Sequence, residues 1–441
     1  MAFDEVKREK LETEREEDEL RSFVAEIISS VRKKGDAALK EYTSKFDKIE
    51  LDSVVMSKDR ISSILDRVSP ETRELVDTNI SRIRKFAKFQ LSMYKNMALE
   101  VDEGGTTLGQ KIIPLESVGV YVPAGRFPLL SSALMGIVPA TVAGVKRIVA
   151  STPPGKNRPD PAVLYGIVKS GATEILTVGG AQAIAAMTYG TESVKGVDKI
   201  IGPGNKYVNE AKRQVFGKVG IDLLAGPSEV LIIADESADL NNVAYDLLAQ
   251  AEHDVAARSC LVTTSDSLAR SVADKMGGFI DSLSTKEILK ASWKDKGSVI
   301  LCDTIKEAVE YANSYAPEHL ELHLTAKSEK IAFRDLKNYG SLFLNENTPV
   351  VFSDKLIGTN HTLPTNRAAR YTGGLSVGSY LKILTYQKVK SKGAKENLSG
   401  RAYRQSIKEG LSGHARSAFL RMSQKDQERR PEIKESDFSR F

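Results

Sequence analysis

The sequence predicts an α/β protein: two α/β domains on parallel-rich sheets, with small helical extensions at the N- and C-termini. Three observations carry this. Short β-branched apolar runs such as VGVYVP, KRIVAST, VLIIADE and RSCLVTT alternate with stretches of helical periodicity. Buried strands separated by helices are the habit of a parallel sheet with right-handed crossovers. At 441 residues, 41 % hydrophobic and 27 % charged, the chain is long enough for two sizeable cores.

In chain order, residues 1–20 mix acids and bases without an apolar face and predict a helical arm, exposed or packed on a partner. Helical spacing runs from Leu20 to Phe46, with Phe23, Ile27, Ile28 and Val31 as one buried stripe, and again from Ser69 to Tyr94. Between Leu99 and Pro123 a Gly-Gly turn separates two alternating runs, a hairpin signal. From Val118 the order is strand VGVYVP, helix Ser131 to Ala143, strand KRIVAST, a Pro-rich loop, helix Ala162 to Lys169, strand EILTVG, helix Ala181 to Met187 and strand VDKIIG. A second series of similar build follows, as an old duplication would leave it. It reads strand VLIIADE, helix Ala238 to His253, strand RSCLVTT, helix Leu268 to Met276, strand SVILCDT, helix Ile305 to Tyr315, then strands LELHL and GSLFLN. Leu375 to Met422 predicts a basic helical extension, followed by a flexible tail.

The expected division is therefore an arm over 1–20, a first α/β domain from 21–117 and 230–370, a second over 118–229, an extension over 371–424 and a tail over 425–441. The formal charge of +5 is mildly basic, but the charges are interspersed, so no nucleic-acid partner is indicated. No apolar run approaches the ~18 residues of a membrane span. The N-terminus is too charged for a secretory signal, and a cytoplasmic protein is expected. Cys260 and Cys302 both lie in apolar strand runs and read as core residues.

Polar residues of unusual company suggest where chemistry sits. In LLAQAEHD, Gln250 and His253 stand three apart in a helical segment and leave one face together. Such a pair is ordinarily solvated, but an amide oxygen and an imidazole on one face can also be half of a metal site. The chain has 5 histidines, so each is informative. Glu318 and His319 precede LELHL in a loop, where adjacent Glu and His can divide labour as water activator and general base. His323 alternates with Leu320, Leu322 and Leu324 and is expected on the surface. Asp354 and His361 flank KLIGTN, a carboxylate to complete a metal site and an imidazole to line it. Glu409 and His414 lie in KEGLSGHARSAF, where His414 alone reads as a helix-start residue. VGVYVPAG, ILTVGGAQA and KIIGPGNKY each end a strand in glycine, which lets backbone approach a ligand. None of them is the Gly-x-Gly-x-x-Gly dinucleotide fingerprint.

From about Leu20 to Met422 the chain resembles the histidinol dehydrogenase family. The motifs that carry the resemblance are VGVYVPAG, SSALM, TVGGAQAIAAM, GTESV, DKIIGPGNKYVNEAKRQV, AGPSEVLIIAD, DLLAQAEH, APEHLEL, GTNHTLPT and LSGHA. The resemblance implies two Rossmann-like domains in an intertwined homodimer, one zinc per site and NAD as oxidant. It implies zinc on Gln250, His253, Asp354 and His414, with His414 coming from the neighbouring subunit. Glu318 and His319 match the water-activating and proton-accepting pair. Ser131, Ser228, His361 and Glu409 match substrate contacts, joined by the zinc ligands and His319, while Tyr121, Gln182 and Asn205 match NAD contacts.

The activity implied is oxidation of L-histidinol through a bound aldehyde to L-histidine, a step of histidine biosynthesis. YGSLFLNENTPVVFSDK and AARYTGGLSV look more like the branch that oxidises 2,3-dihydroxypropane-1-sulfonate, with Arg126 and Arg370 placed to pair with a sulfonate. Two rivals remain at this point. One is a binding protein that kept the fold without the chemistry; the other is an aldehyde dehydrogenase using Cys260 or Cys302.

Overall fold

The computed structural model describes residues 4–7, 14–124, 129–155 and 159–429. The chain divides into two compact units, one of 1–91 and 114–380, the other of 92–113 and 381–441.

The larger unit holds two sheets. One is five-stranded and wholly parallel, in the order Glu174–Leu176, Arg147–Ser151, Ser117–Tyr121, Lys199–Ile201, Gly220–Ile221. The other is six-stranded, in the order Asp4–Lys7, Gly297–Leu301, Arg258–Thr263, Glu229–Ala234, His319–His323, Ser341–Leu344. Its inner strands are parallel, and only the edge strand Asp4–Lys7 runs antiparallel. Leaving that edge aside, both sheets grow outward from their first strand in the same doubly wound order, each with a switch point beside that strand. This shared order is what the similar build of the two series predicts.

Helices cover both faces of each sheet. Val243, Leu247, Leu268, Val272 and Leu289 pack on one face of the six-stranded sheet, and Ala308, Val309 and Ala332 on the other. The helices Glu14–Lys34, Asp36–Asp47 and Pro70–Leu91 serve the five-stranded sheet. Val24, Ile27 and Val31 meet Ile184 and Val208, while Ile80 and Ile83 meet Leu134 and Val138. Grouping 21–117 with 230–370 is thus corrected, because an apolar stripe announces a buried face and not which sheet it covers. Phe23 is 37 % exposed, and Val24 takes its place in the stripe.

The arm expected over 1–20 contains the strand Asp4–Lys7, with helix only from Glu14. Helices Lys58–Leu65, Lys286–Lys296, Ala326–Asp335 and Val350–Lys355 are not among those expected from the sequence.

In the smaller unit the expected hairpin forms from Met97–Val101 and Thr106–Pro114, turning through Asp102, Glu103 and Gly104, all at positive φ. A third strand, Leu381–Val389, lies beside Thr106–Pro114 in the same sheet, so the extension is not purely helical. LKILTYQKV, read as helix, pairs as strand, and Gly109 leaves room for the ring of Tyr386. Helices Lys392–Lys408 and Ser412–Phe419 follow, and the segment expected as a loose tail begins within a further helix, Gln424–Glu428. No helix among the described residues is long and apolar enough to cross a membrane.

Candidate active site

One pocket of the larger unit gathers Ser131, Ser228, Gln250, His253, Glu318, His319, Asp354 and His361, together with Lys355, Thr362 and Pro203. Ser131 and His361, 230 positions apart in the chain, thus meet at one place. The pocket combines the carboxyl edge of the five-stranded sheet, through Ser131 and Pro203, with the amino edge of the six-stranded sheet, through Ser228 and Glu318. The pocket therefore opens at strand carboxyl ends in one sheet and at strand amino ends in the other.

Glu318 and His319 are buried, at 7 and 3 % exposure, and His319 begins the strand His319–His323 rather than preceding it. Both are held by one residue, Glu229, at the start of the neighbouring strand. Its backbone N–H donates to Glu318 Oε2 at 2.8 Å, and its carbonyl lies 3.0 Å from His319 Nδ1. A carbonyl can only accept, so Nδ1 carries the proton and Nε2 is left as the basic nitrogen. That Nε2 is buried without a hydrogen-bond partner, as is Nε2 of His361. Burial pushes the Glu318 carboxyl well above the usual carboxylate range, with the charges of Glu229 and Asp354 acting the same way. Burial holds the imidazoles of His319, His253 and His361 below their ordinary value, against the pull of Asp354. Asp354 itself is lowered: burial alone would raise it, but His361, His319, His253 and Lys355 together outweigh that.

Local structure explains the placement. Helix Leu240–Ala251 buries Gln250 at its last turn; His253 lies just beyond, its N–H donating to the Gln250 carbonyl at 3.3 Å. The two are thus neighbours across a helix end, not on one continuous helical face. Asp354 rides on the short helix Val350–Lys355. The His361 loop is tied to the helix bearing Ser131, because Asn360 Nδ2 donates to the Met135 carbonyl at 2.8 Å.

The three residues expected at NAD ring the carboxyl edge of the five-stranded sheet. Tyr121 ends one strand; its buried hydroxyl accepts from the Gly180 N–H at 3.1 Å, and burial pushes its pKa up to about 12. Gln182 is buried in the first turn of the helix Gly180–Tyr189, which that N–H opens. Asn205 caps helix Lys206–Val215, its Oδ1 accepting from Tyr207 and Val208 N–H groups, so the side chain shapes the turn. Gly202 shows why this edge is glycine-rich: at φ +116° a Cβ would sit 2.3 Å from the Tyr121 carbonyl oxygen. The fully buried Lys212 pins the same turn through the Gly202 carbonyl and Asp222.

Other expectations fall elsewhere. His414 and Glu409 lie exposed in the smaller unit, on helix Ser412–Phe419 and at the end of Lys392–Lys408. Arg370 is exposed and does not line the pocket, while Arg126 lies outside the described residues. His323 is corrected from surface to core at 2 % exposure, because its strand is flanked by strands on both edges and covered on both faces. With Asp246 and Glu321 it forms a cluster whose ligand-type atoms all lie within 4.8 Å of one another, a spacing compatible with a metal ion. Cys260 and Cys302 are buried away from the pocket lining, and burial pushes the Cys302 thiol up to about 11. Sequence reasoning missed Glu229, Lys355 and Asn360. The only signal for Glu229 was an acid opening an otherwise apolar strand, EVLIIA.

The Histidinol dehydrogenase family model matches residues 10–422. Histidinol dehydrogenase of Geobacillus kaustophilus is 42 % identical over 92 % of this chain and 94 % of its own length. Histidinol dehydrogenase homolog 1 of Mesorhizobium japonicum is 43 % identical over 91 % of this chain and 80 % of its own. The crystal structure of histidinol dehydrogenase from Elizabethkingia anophelis superposes with a TM-score of 0.86 at 35 % identity, covering 94 % of this chain and 93 % of that one.

Proposed function

Because the chain belongs to the histidinol dehydrogenase family, oxidoreductases that act on CH–OH groups and use NAD and zinc, we propose that it oxidises a primary alcohol to a carboxylate in two steps. L-Histidinol to L-histidine is the first reading. One alcohol, two NAD and one water give one carboxylate, two NADH and the released protons. The observation that carries this is the tautomer of His319, whose bare Nε2 faces no partner in a pocket shared with Gln250, His253 and Asp354.

The donor set fits zinc. An amide oxygen, a neutral imidazole and an ionised carboxylate are nitrogen and oxygen ligands of the kind zinc accepts, with catalytic sites leaving a position open. Gln250, His253 and Asp354 would hold it, and bound zinc supplies a Lewis acid for the alcohol and carbonyl oxygens. NAD, against Tyr121, Gln182 and Asn205, supplies the two-electron acceptor. The protein's own groups do the rest. His319 Nε2 takes the hydroxyl proton, Ser131, Ser228 and His361 orient the substrate, and Glu318 takes a proton from water as it adds to the bound aldehyde.

The fourth ligand in this reading is His414 of the partner subunit, with Glu409 of the partner subunit beside it. A homodimer is supported by the apolar side chains exposed on the smaller unit's sheet, where Met97 and Leu99 are 65 and 62 % exposed and Ile383 is 53 %.

A second reading is favoured by Lys355. It lines the pocket, and its charge acts on both His253 and His361. An ammonium there opposes the cationic amine of histidinol and suits an anionic alcohol such as 2,3-dihydroxypropane-1-sulfonate. NADH release from the zinc-loaded protein, measured with each alcohol in turn, separates the two. Two NADH per histidinol supports the first reading, and turnover of the diol alone replaces it with the second. On the second reading Lys355→Met raises KM for the sulfonate about tenfold or more, the worth of one charge-assisted hydrogen bond. An unchanged KM would remove Lys355 from the binding site.

A further inference from the structure

Alternation along His319–His323 turns His319, Glu321 and His323 to one face of the sheet and packs Leu320 and Leu322 into the core on the other. His319 lines the pocket; the other two do not. Glu321 and His323 are nonetheless buried, at 1 and 2 % exposure, where polar groups persist only if they are satisfied.

Glu321 uses its oxygens in two directions. Oε1 accepts the backbone N–H of Val350 at 2.7 Å, and Oε2 lies 3.2 Å from His323 Nε2. The same Nε2 lies 3.6 Å from Asp246 Oδ2. Each contact reaches an element that carries a pocket residue. Val350 opens the six-residue helix that bears Asp354, and Asp246 stands one turn before Gln250 on helix Leu240–Ala251. The helix Val350–Lys355 has no side-chain cap of its own, so the Glu321 carboxylate acts as its cap from a neighbouring strand.

We propose that Asp246, His323 and Glu321 are positioning residues: an internal brace that holds Asp354 and Gln250 in place against His319. The inference rests on the reading that Asp354 and Gln250 bind zinc. The same three residues have the spacing of a metal site, but a metal-bound imidazole ordinarily donates its second ring N–H to an acceptor. Nδ1 of His323 is buried with no partner. An Nε2–H tautomer leaves only a lone pair unsatisfied there, the more tolerated kind of orphan. Asp246, pushed up to about 7 by burial and then by the charge of Glu321, can hold a proton in place of a cation.

The test is zinc affinity of the full-length protein by chelator competition, with kcat measured at limiting and at saturating zinc. Glu321→Ala should weaken zinc about 10- to 100-fold, the usual loss when a residue supporting a ligand is removed, with kcat recovering at saturating zinc. Glu321→Gln keeps an acceptor for Val350 and should recover most of that affinity, which a loss of general stability would not produce. Should Glu321→Ala fail to fold, Asp246→Ala, at a partly exposed position, should weaken zinc in the same measurement, and wild-type affinity there overturns the brace. Wild-type zinc affinity in the alanine variant, alongside loss of zinc in Asp354→Asn, overturns the brace alone. Retention of zinc by Asp354→Asn overturns the metal-site reading and the brace with it. A second metal equivalent that disappears in His323→Gln would also overturn the brace, because the cluster would then be a ligand set.

Discussion

Asparagine in place of His253 is expected to remove both bound zinc and turnover. The imidazole sits in the pocket with Gln250 and Asp354, and burial keeps it neutral, the form that ligates a metal. Asparagine is too short to place a donor where the ring nitrogen stands. Even residues that only support a ligand are worth about 10- to 100-fold in affinity, so loss of a ligand should exceed that. Metal content after dialysis and NADH production are the two readouts, and full turnover by a metal-free variant would sink the zinc reading. The same variant tests the dimer. His414→Asn should be equally inactive, yet refolding the two inactive proteins together should restore activity. Half of the dimers are then mixed and one of their two sites is intact, so about a quarter of wild-type activity is expected for a twofold assembly with shared sites. No recovery would place His414 within its own chain's site or outside it altogether.

The sheets were largely legible because their strands are apolar runs whose meaning does not depend on context. EVLIIA is buried at every position, and the sequence reads that way. Residue 323 shows the limit. In LELHL, alternation correctly separates His323 from Leu322, but only the neighbouring strands and helices reveal that both faces are covered. Helix assignment to a sheet failed for a similar reason, as did LKILTYQKV, whose partner strand lies over 260 positions earlier. The candidate site was legible through side chains, because His, Glu and Asp stand out in sequence. Its supports were not. Glu229 holds Glu318 and His319 with backbone atoms that every residue has. Gly202 was visible as a glycine, while its cause, the Tyr121 carbonyl, lies in another strand.

His319→Asn should leave the fold and bound zinc intact while lowering kcat about 10²- to 10⁴-fold, the usual worth of a general base. Asparagine is the informative choice because its amide can still donate to the Glu229 carbonyl, as Nδ1 does, whereas nothing replaces Nε2. KM should change little, since the loss lies in proton transfer and not in binding. The pH profile adds a second check. Burial lowers the His319 pKa, so the ring remains a free base on acidification until below the ordinary imidazole value of about 6.5. Wild-type kcat should therefore be flat near neutrality, with its acid limb below that value. In the variant the part of that limb due to His319 disappears, and the residual rate climbs with pH as hydroxide takes over the proton. A variant retaining kcat within about tenfold, or keeping the wild-type acid limb, would assign the base to another group, with Glu318 the next to replace.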